Sequence, residues 1–167
     1  MVHKIRVWWA QSFQQQTFLG YLAVVRIVAS IQFFQASWGK LTRGFLNGEQ
    51  LPNQFAKLAA DPISLHQDFI VNVVIPHPLF FSYLVAFGEL AIALSLLSGC
   101  LVRVACSFGA FHNLNIYLAI AIPNGGPQLG LNRLFIFLHL VFVFASAGRS
   151  IGIDGWLKKK FPRSWLF

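Results

Sequence analysis

Arg26, Glu89, His112 and His139 each stand about nine to twelve residues into a long apolar run of the chain, at a spacing that would place all four near the middle of a bilayer. An ionised side chain at that depth costs at least about 2.5 kcal/mol, so such groups turn to the protein interior and find partners. Arg26 and Glu89 are the expected pair, because each neutralises the other where the dielectric is low. Two uses of such a layer stand side by side. In one, Arg26 and a histidine donate to a quinone carbonyl or a carboxylate substrate while Glu89 or His112 passes a proton, which makes Arg26, Glu89 and His112 the candidate catalytic residues. In the other, Arg26 and Glu89 are a buried salt bridge that fixes packing, with Asn113 and Asn115 as hydrogen bonds between helices. His112 and His139, on neighbouring antiparallel spans, also have the arrangement of two axial ligands to a haem b, or of single ligands to a chlorophyll magnesium. Cofactor binding therefore centres on His112, His139 and Arg26. No Ser-His-Asp order or phosphate loop occurs, and Asp61, Asp68 and Asp154 fall outside the apolar runs, so no protein-held metal ion is expected.

Four helices must position these groups. The apolar runs lie at about 17–39, 78–99, 101–122 and 131–148, each long enough to cross a hydrocarbon core of about 30 Å at 1.5 Å per residue. Between the first two runs, residues 40–77 are too polar to cross. GEQLPNQFAKLAADP reads as a short interfacial helix stopped at Asp61-Pro62, and SLHQDFIVNVVIPHP as a second amphipathic piece ended by Pro76 and Pro78. Together they predict a cap on one membrane face, beside the short loop PNGGPQLG. The N-terminal VWWAQSFQQQ is too polar for a signal-peptide core and no small-residue cleavage site follows it, so the first span is expected to stay in the mature protein.

Composition agrees. The 167 residues are 56% hydrophobic and only 11% charged, too little charge to cover a water-soluble domain. The net charge of +8 is spread among apolar runs and bunches only near the C-terminus, which argues against a nucleic-acid surface and for membrane topology. With both termini inside, the cytoplasmic face holds Lys4, Arg6, Arg103, Arg149, Lys158, Lys159, Lys160 and Arg163. The outer face holds Lys40, Arg43, Lys57 and Arg133, so eight against four favours N-in/C-in. Trp8, Trp9, Trp38, Trp156 and Trp165 fall near span ends, where an amphipathic ring prefers to sit. GWLKKKFPRSWLF suits an anionic headgroup surface and reads as an anchor. Many of the 18 phenylalanines are expected simply to face lipid. Cys100 and Cys106, about 9 Å apart along a helix axis and on different faces, cannot bridge. The expected architecture is all-α: a single polytopic membrane domain over 1–167, four transmembrane helices with an interfacial helical segment after the first.

Arg26 followed by QFFQASWGKL (Gln32 to Leu41), FGELAIALSLLSGCLVR (Phe87 to Arg103) and AGRSIGIDGWL (Ala147 to Leu157) resembles the DoxX/DoxD-like family of small four-helix membrane proteins, a likeness that runs across all four spans. Arg26, Lys40, Glu89, Arg103 and Arg149 match its recurring polar positions. The resemblance implies a subunit of a quinone-linked redox system, since the family takes its name from thiosulfate:quinone oxidoreductase. Here the first connection is long and polar, and no cysteine pair stands where sulfur chemistry would need one. The leading expectation is an integral-membrane subunit of a quinone-associated electron-transfer complex in a bacterial-type plasma or thylakoid membrane, working with other membrane subunits and not as an enzyme alone. The alternative is a non-catalytic accessory subunit of a larger photosynthetic or respiratory assembly, touching pigment or lipid. A small-solute transporter fits less well, because the paired Gly/Pro-interrupted spans of such proteins are missing.

Overall fold

The computed structural model describes residues 19–55 and 61–167. Trp8, Trp9, Lys4, Arg6 and Lys57, used above for topology, lie outside the described residues. The first helix, α1 (Leu19–Thr42), leads through a 3-10 turn at Phe45–Asn47 into the short α2 (Gln50–Gln54). Helix α3 (Ser64–Phe69) continues as a π-helical turn at Ile70–Val74. Then come α4 (Pro78–Ser98), α5 (Val102–Asn124), α6 (Pro127–Phe144) and the amphipathic α7 (Ile153–Lys160). No strand occurs among the described residues. Helices α1, α4, α5 and α6 are each long and apolar enough to cross a membrane.

Local chemistry sets the helix ends. Pro78 opens α4 and Pro127 opens α6, where a missing N–H costs nothing and the fixed φ suits a helical start. Gly99 ends α4 at φ 68°, the left-handed conformation that terminates helices. In α5 the last turns widen into a π-helical stretch at Tyr117–Ala121, just ahead of Pro123. Proline cannot donate to the carbonyl four residues back and clashes with it, and widening the ladder absorbs the mismatch.

The four long helices form an antiparallel bundle in which α1 packs on α4 and α5 on α6. Residues 45–55 and 61–77 cover the face where α1 ends and α4 begins. The turn at Ala147–Arg149 and α7 close the opposite face. Two apolar clusters fill the interior. One, toward the α7 face, is built from Ala29, Phe33, Ile92, Leu96, Val102, Cys106 and Phe142. The other, toward the cap, is built from Phe45, Leu51, Ile70, Val74, Ala86 and Ala119. Outward, Phe80, Phe87, Phe108, Phe111, Phe137 and Phe144 are exposed, as side chains facing hydrocarbon are in a membrane bundle.

Candidate functional site

Between the two apolar clusters lies a polar layer centred on Glu89. On α4, Glu89 falls between Ala86 of one cluster and Ile92 of the other; on α5, His112 falls between Cys106 and Ala119. Glu89 is buried at 4% exposure, and both of its oxygens are engaged. Lys40, in the last turn of α1, places Nζ 2.6 Å from Oε2. His112 donates from Nε2 to Oε1 at 2.9 Å. A carboxylate gripped by an ammonium and an imidazole is the arrangement that keeps a charge inside a low-dielectric bundle.

Arg26 is not the partner of Glu89. Arg26 lies fourteen residues before Lys40 on α1, about four helical turns away, toward the α7 face and well short of the layer. It is fully buried, and its Nη2 donates to the carbonyls of Ser150 (3.3 Å) and Ile151 (3.0 Å). Lys40, counted above with the outer connection, takes the place expected of Arg26. Its long stem lets a residue at a helix end reach inward to a buried acid. Its side chain keeps 22% of its surface open, and it borders a recess of about 330 Å³ lined also by Gln35, Arg43, Phe45, Gln50 and Gln54. The layer thus opens to the capped face through Lys40.

His139, expected near His112, is buried against Gly109 of α5, with the Phe33 ring 5.1 Å and the Phe135 ring 6.4 Å away. A Cβ on Gly109 would come within 2.6 Å of its Cε1 and Nε2, so the imidazole occupies the space that glycine leaves. Neither ring nitrogen has a hydrogen-bond partner among the described residues. The Nε2 of His112 is committed to Glu89. Asn113 donates to Gly109 O within its own helix and not across helices. Asn115 does reach outside: its Oδ1 lies 3.0 Å from Nε2 of His66, whose Nδ1 is 2.5 Å from Asp61 Oδ2. That clamp ties the cap to α5, and nothing in the spacing of the chain announced it.

A second polar cluster closes the α7 face. Asp154 accepts from the amides of Leu101 (2.7 Å) and Val102 (3.0 Å), supplying from α7 the cap that Leu101, with no side-chain oxygen, cannot give α5. Gly99 and Gly152 pack against the Arg26 guanidinium, and Gly148 against Asp154 and Val102, so a Cβ at any of the three would collide. Leu101 (φ 54°), Ser146 (φ 51°) and Ile151 (φ 45°) hold left-handed backbone around this closure, strain that for a β-branched residue such as Ile151 persists only because its surroundings impose it.

One further feature lies one helical turn from the layer. An apolar groove of about 230 Å³, open to the lipid side, runs between α1 and α4 and is lined by Ser30, Ile31, Phe34, Ala93, Leu94 and Leu97. Ala93 is one helical turn from Glu89. Among the described residues no group of three His, Cys, Asp or Glu side chains is placed to hold a metal ion.

Four apolar spans, a membrane-level polar layer and a helical cap define a small multi-pass membrane protein of the four-helix class. The DoxX family profile matches residues 21–122, more than half of the chain, and the chain belongs to that family. The matched stretch takes in the first three spans, with Arg26, Lys40, Glu89, Arg103 and His112. Comparison with curated proteins and with solved structures finds no match.

Proposed function

We propose that this chain is the membrane subunit of a quinone-associated electron-transfer system, oriented N-in/C-in, in which Lys40, Glu89 and His112 serve the quinone headgroup. The observation that carries the reading is Glu89: a carboxylate buried in the bundle, held by an amine and an imidazole, and connected through Lys40 to a polar recess at the capped face. Reducing a quinone to a quinol consumes two electrons and two protons. Electrons would come from a partner subunit, and the protons through titratable groups that reach from the aqueous face to mid-membrane. Lys40, Glu89 and His112 are such groups, and the lipid-open groove beginning at Ala93 has the apolar lining that an isoprenoid tail needs.

The test is to purify the chain in mild detergent, extract and quantify bound quinone, and repeat with Glu89→Gln. Quinone present in the wild type and lost from a variant that still melts cooperatively supports the reading. Absence of quinone from both, or equal content in both, defeats it. A second reading is favoured by the closure around Arg26 and Asp154, where this same bundle already uses buried charge to hold elements together. In that reading the Glu89 layer is also a packing clamp and the chain is an accessory subunit of a larger assembly. Recovery inside a large complex whose turnover survives Glu89→Gln would select it.

A further inference from the structure

The chain has five acidic residues, Glu49, Asp61, Asp68, Glu89 and Asp154. The first three belong to the cap and Glu89 to the polar layer. On the α7 face only Asp154 remains, and it is buried with both oxygens turned to the amides that open α5. The same face carries Arg103, Arg149, Lys158, Lys159, Lys160 and Arg163 besides the buried Arg26, whereas the other described residues hold only Lys40, Arg43 and Arg133 against four acids.

Three of these cations converge. Arg103 lies over the Trp165 ring at 5.6 Å and donates to the Trp165 carbonyl (2.8 Å) and to Ser146 Oγ (2.5 Å). Arg149 donates to the main-chain oxygen of Phe167 (2.6 Å), and Lys158 to the carbonyl of Ser164 (2.8 Å). All three thus gather on the stretch 164–167, with no acidic side chain engaged by any of them. The Nε of Arg149 is buried without an acceptor. Desolvation first, and then the charges of Arg149 and Arg103, hold the Lys158 amine below its usual range. The cluster sits where α5 begins and α6 ends, at the membrane boundary. Trp165 under Arg103, Trp156 and Phe161 against Lys160, and Leu166 are all exposed on this face.

We infer that Arg103, Arg149 and Lys158 form a site for the phosphate of an anionic phospholipid headgroup, with Trp156, Phe161 and Trp165 bedded in the interfacial zone around it. Charge complementarity requires an anion, and guanidinium groups suit phosphate oxygens. A lipid is preferred over a soluble anion because the flanking apolar rings need a non-aqueous surface, which a free phosphate does not bring. The inference is independent of any quinone chemistry in the Glu89 layer.

Native mass spectrometry of the chain released from nanodiscs of equal phosphatidylglycerol and phosphatidylcholine tests it. The wild type should retain phosphatidylglycerol over phosphatidylcholine by about tenfold or more, and the Arg149→Gln/Lys158→Gln double variant should fall toward parity. A Lys159→Gln/Lys160→Gln variant, which removes the same charge beside the cluster, should keep the preference. If the two double variants lose it equally, the face is only diffusely basic and there is no site. If millimolar inorganic phosphate strips the retained lipid, the site is one for a soluble anion. Should Arg149→Gln/Lys158→Gln fail to fold by circular dichroism, Lys158→Gln alone must lower the preference by about threefold, and an unchanged preference overturns the inference.

Discussion

Glu89 is held by two neighbours of different character, and this makes its energetics separable from its chemistry. Removing Lys40 as Lys40→Met leaves a buried carboxylate with one donor, and removing Glu89 as Glu89→Leu leaves an ammonium and an imidazole facing apolar surface. Each single change is expected to cost about 1–3 kcal/mol, because a buried group stripped of its partner bears its desolvation penalty alone. The double variant Lys40→Met/Glu89→Leu should be more stable than either single, since well-packed apolar side chains commonly replace a buried ion pair without loss. Thermal unfolding of the four proteins in detergent measures this. A double variant that loses the sum of the two singles would show that the pair contributes nothing jointly. A double variant that regains stability yet lacks quinone would separate site from clamp.

At the scale of elements, the α7 face is built as an interlock. Helix α5 begins on a left-handed leucine with no capping side chain, and Asp154 arrives from beyond α6 to accept its first amides. Glycines at 99, 148 and 152 are required for the approach, because the Arg26 guanidinium and the Asp154 carboxylate fill the volume where their Cβ atoms would lie. Asp154→Ala is expected to destabilise the bundle by about 1–2 kcal/mol, the range for loss of a helix cap. Hydrogen exchange should place the loosening in the first turn of α5 and in α7. Uniform loosening that reaches the cap around His66 would contradict a local role.

For the whole molecule, the N-in/C-in orientation proposed from the charge distribution can be tested at one cysteine. Cys100 lies between α4 and α5 on the α7 face and is partly accessible, whereas Cys106 is fully buried, and both are free thiols. Burial, and secondarily the Asp154 carboxylate, push the Cys100 thiol up from its ordinary range, which lowers the reactive thiolate fraction at neutral pH. Labelling by an impermeant maleimide should therefore be slow near pH 7 and still be accelerating at a pH where an ordinary thiol has levelled off. With N-in/C-in topology it should occur in right-side-out vesicles only after permeabilisation. Labelling without permeabilisation would reverse the orientation.

The four spans and the all-α class were legible because apolar run length is set by bilayer thickness, a one-dimensional property of the chain. The second piece of the cap, ending ahead of Pro76 and Pro78, was legible for a similar reason, since proline acts on its own neighbours; the expected stop at Asp61-Pro62 follows residues outside the described ones. Glu89 and His112 could be singled out as buried partners because charge in hydrocarbon must be satisfied. Which groups satisfy it could not be read along the chain. Counting from a span edge pairs Arg26 with Glu89, yet the antiparallel packing of α1 on α4 carries Arg26 to the α7 closure, and a flexible lysine stem brings Lys40 inward from the helix end. Asp154 capping α5, His66 clamped to Asn115, and His139 seated on Gly109 each depend on residues 30 or more positions apart meeting in space. Sequence alone therefore determined that this protein crosses the membrane as a helical bundle with polar residues inside it. The tertiary structure decided the pairing, because a buried charge takes whichever partner the packing of neighbouring helices brings within reach.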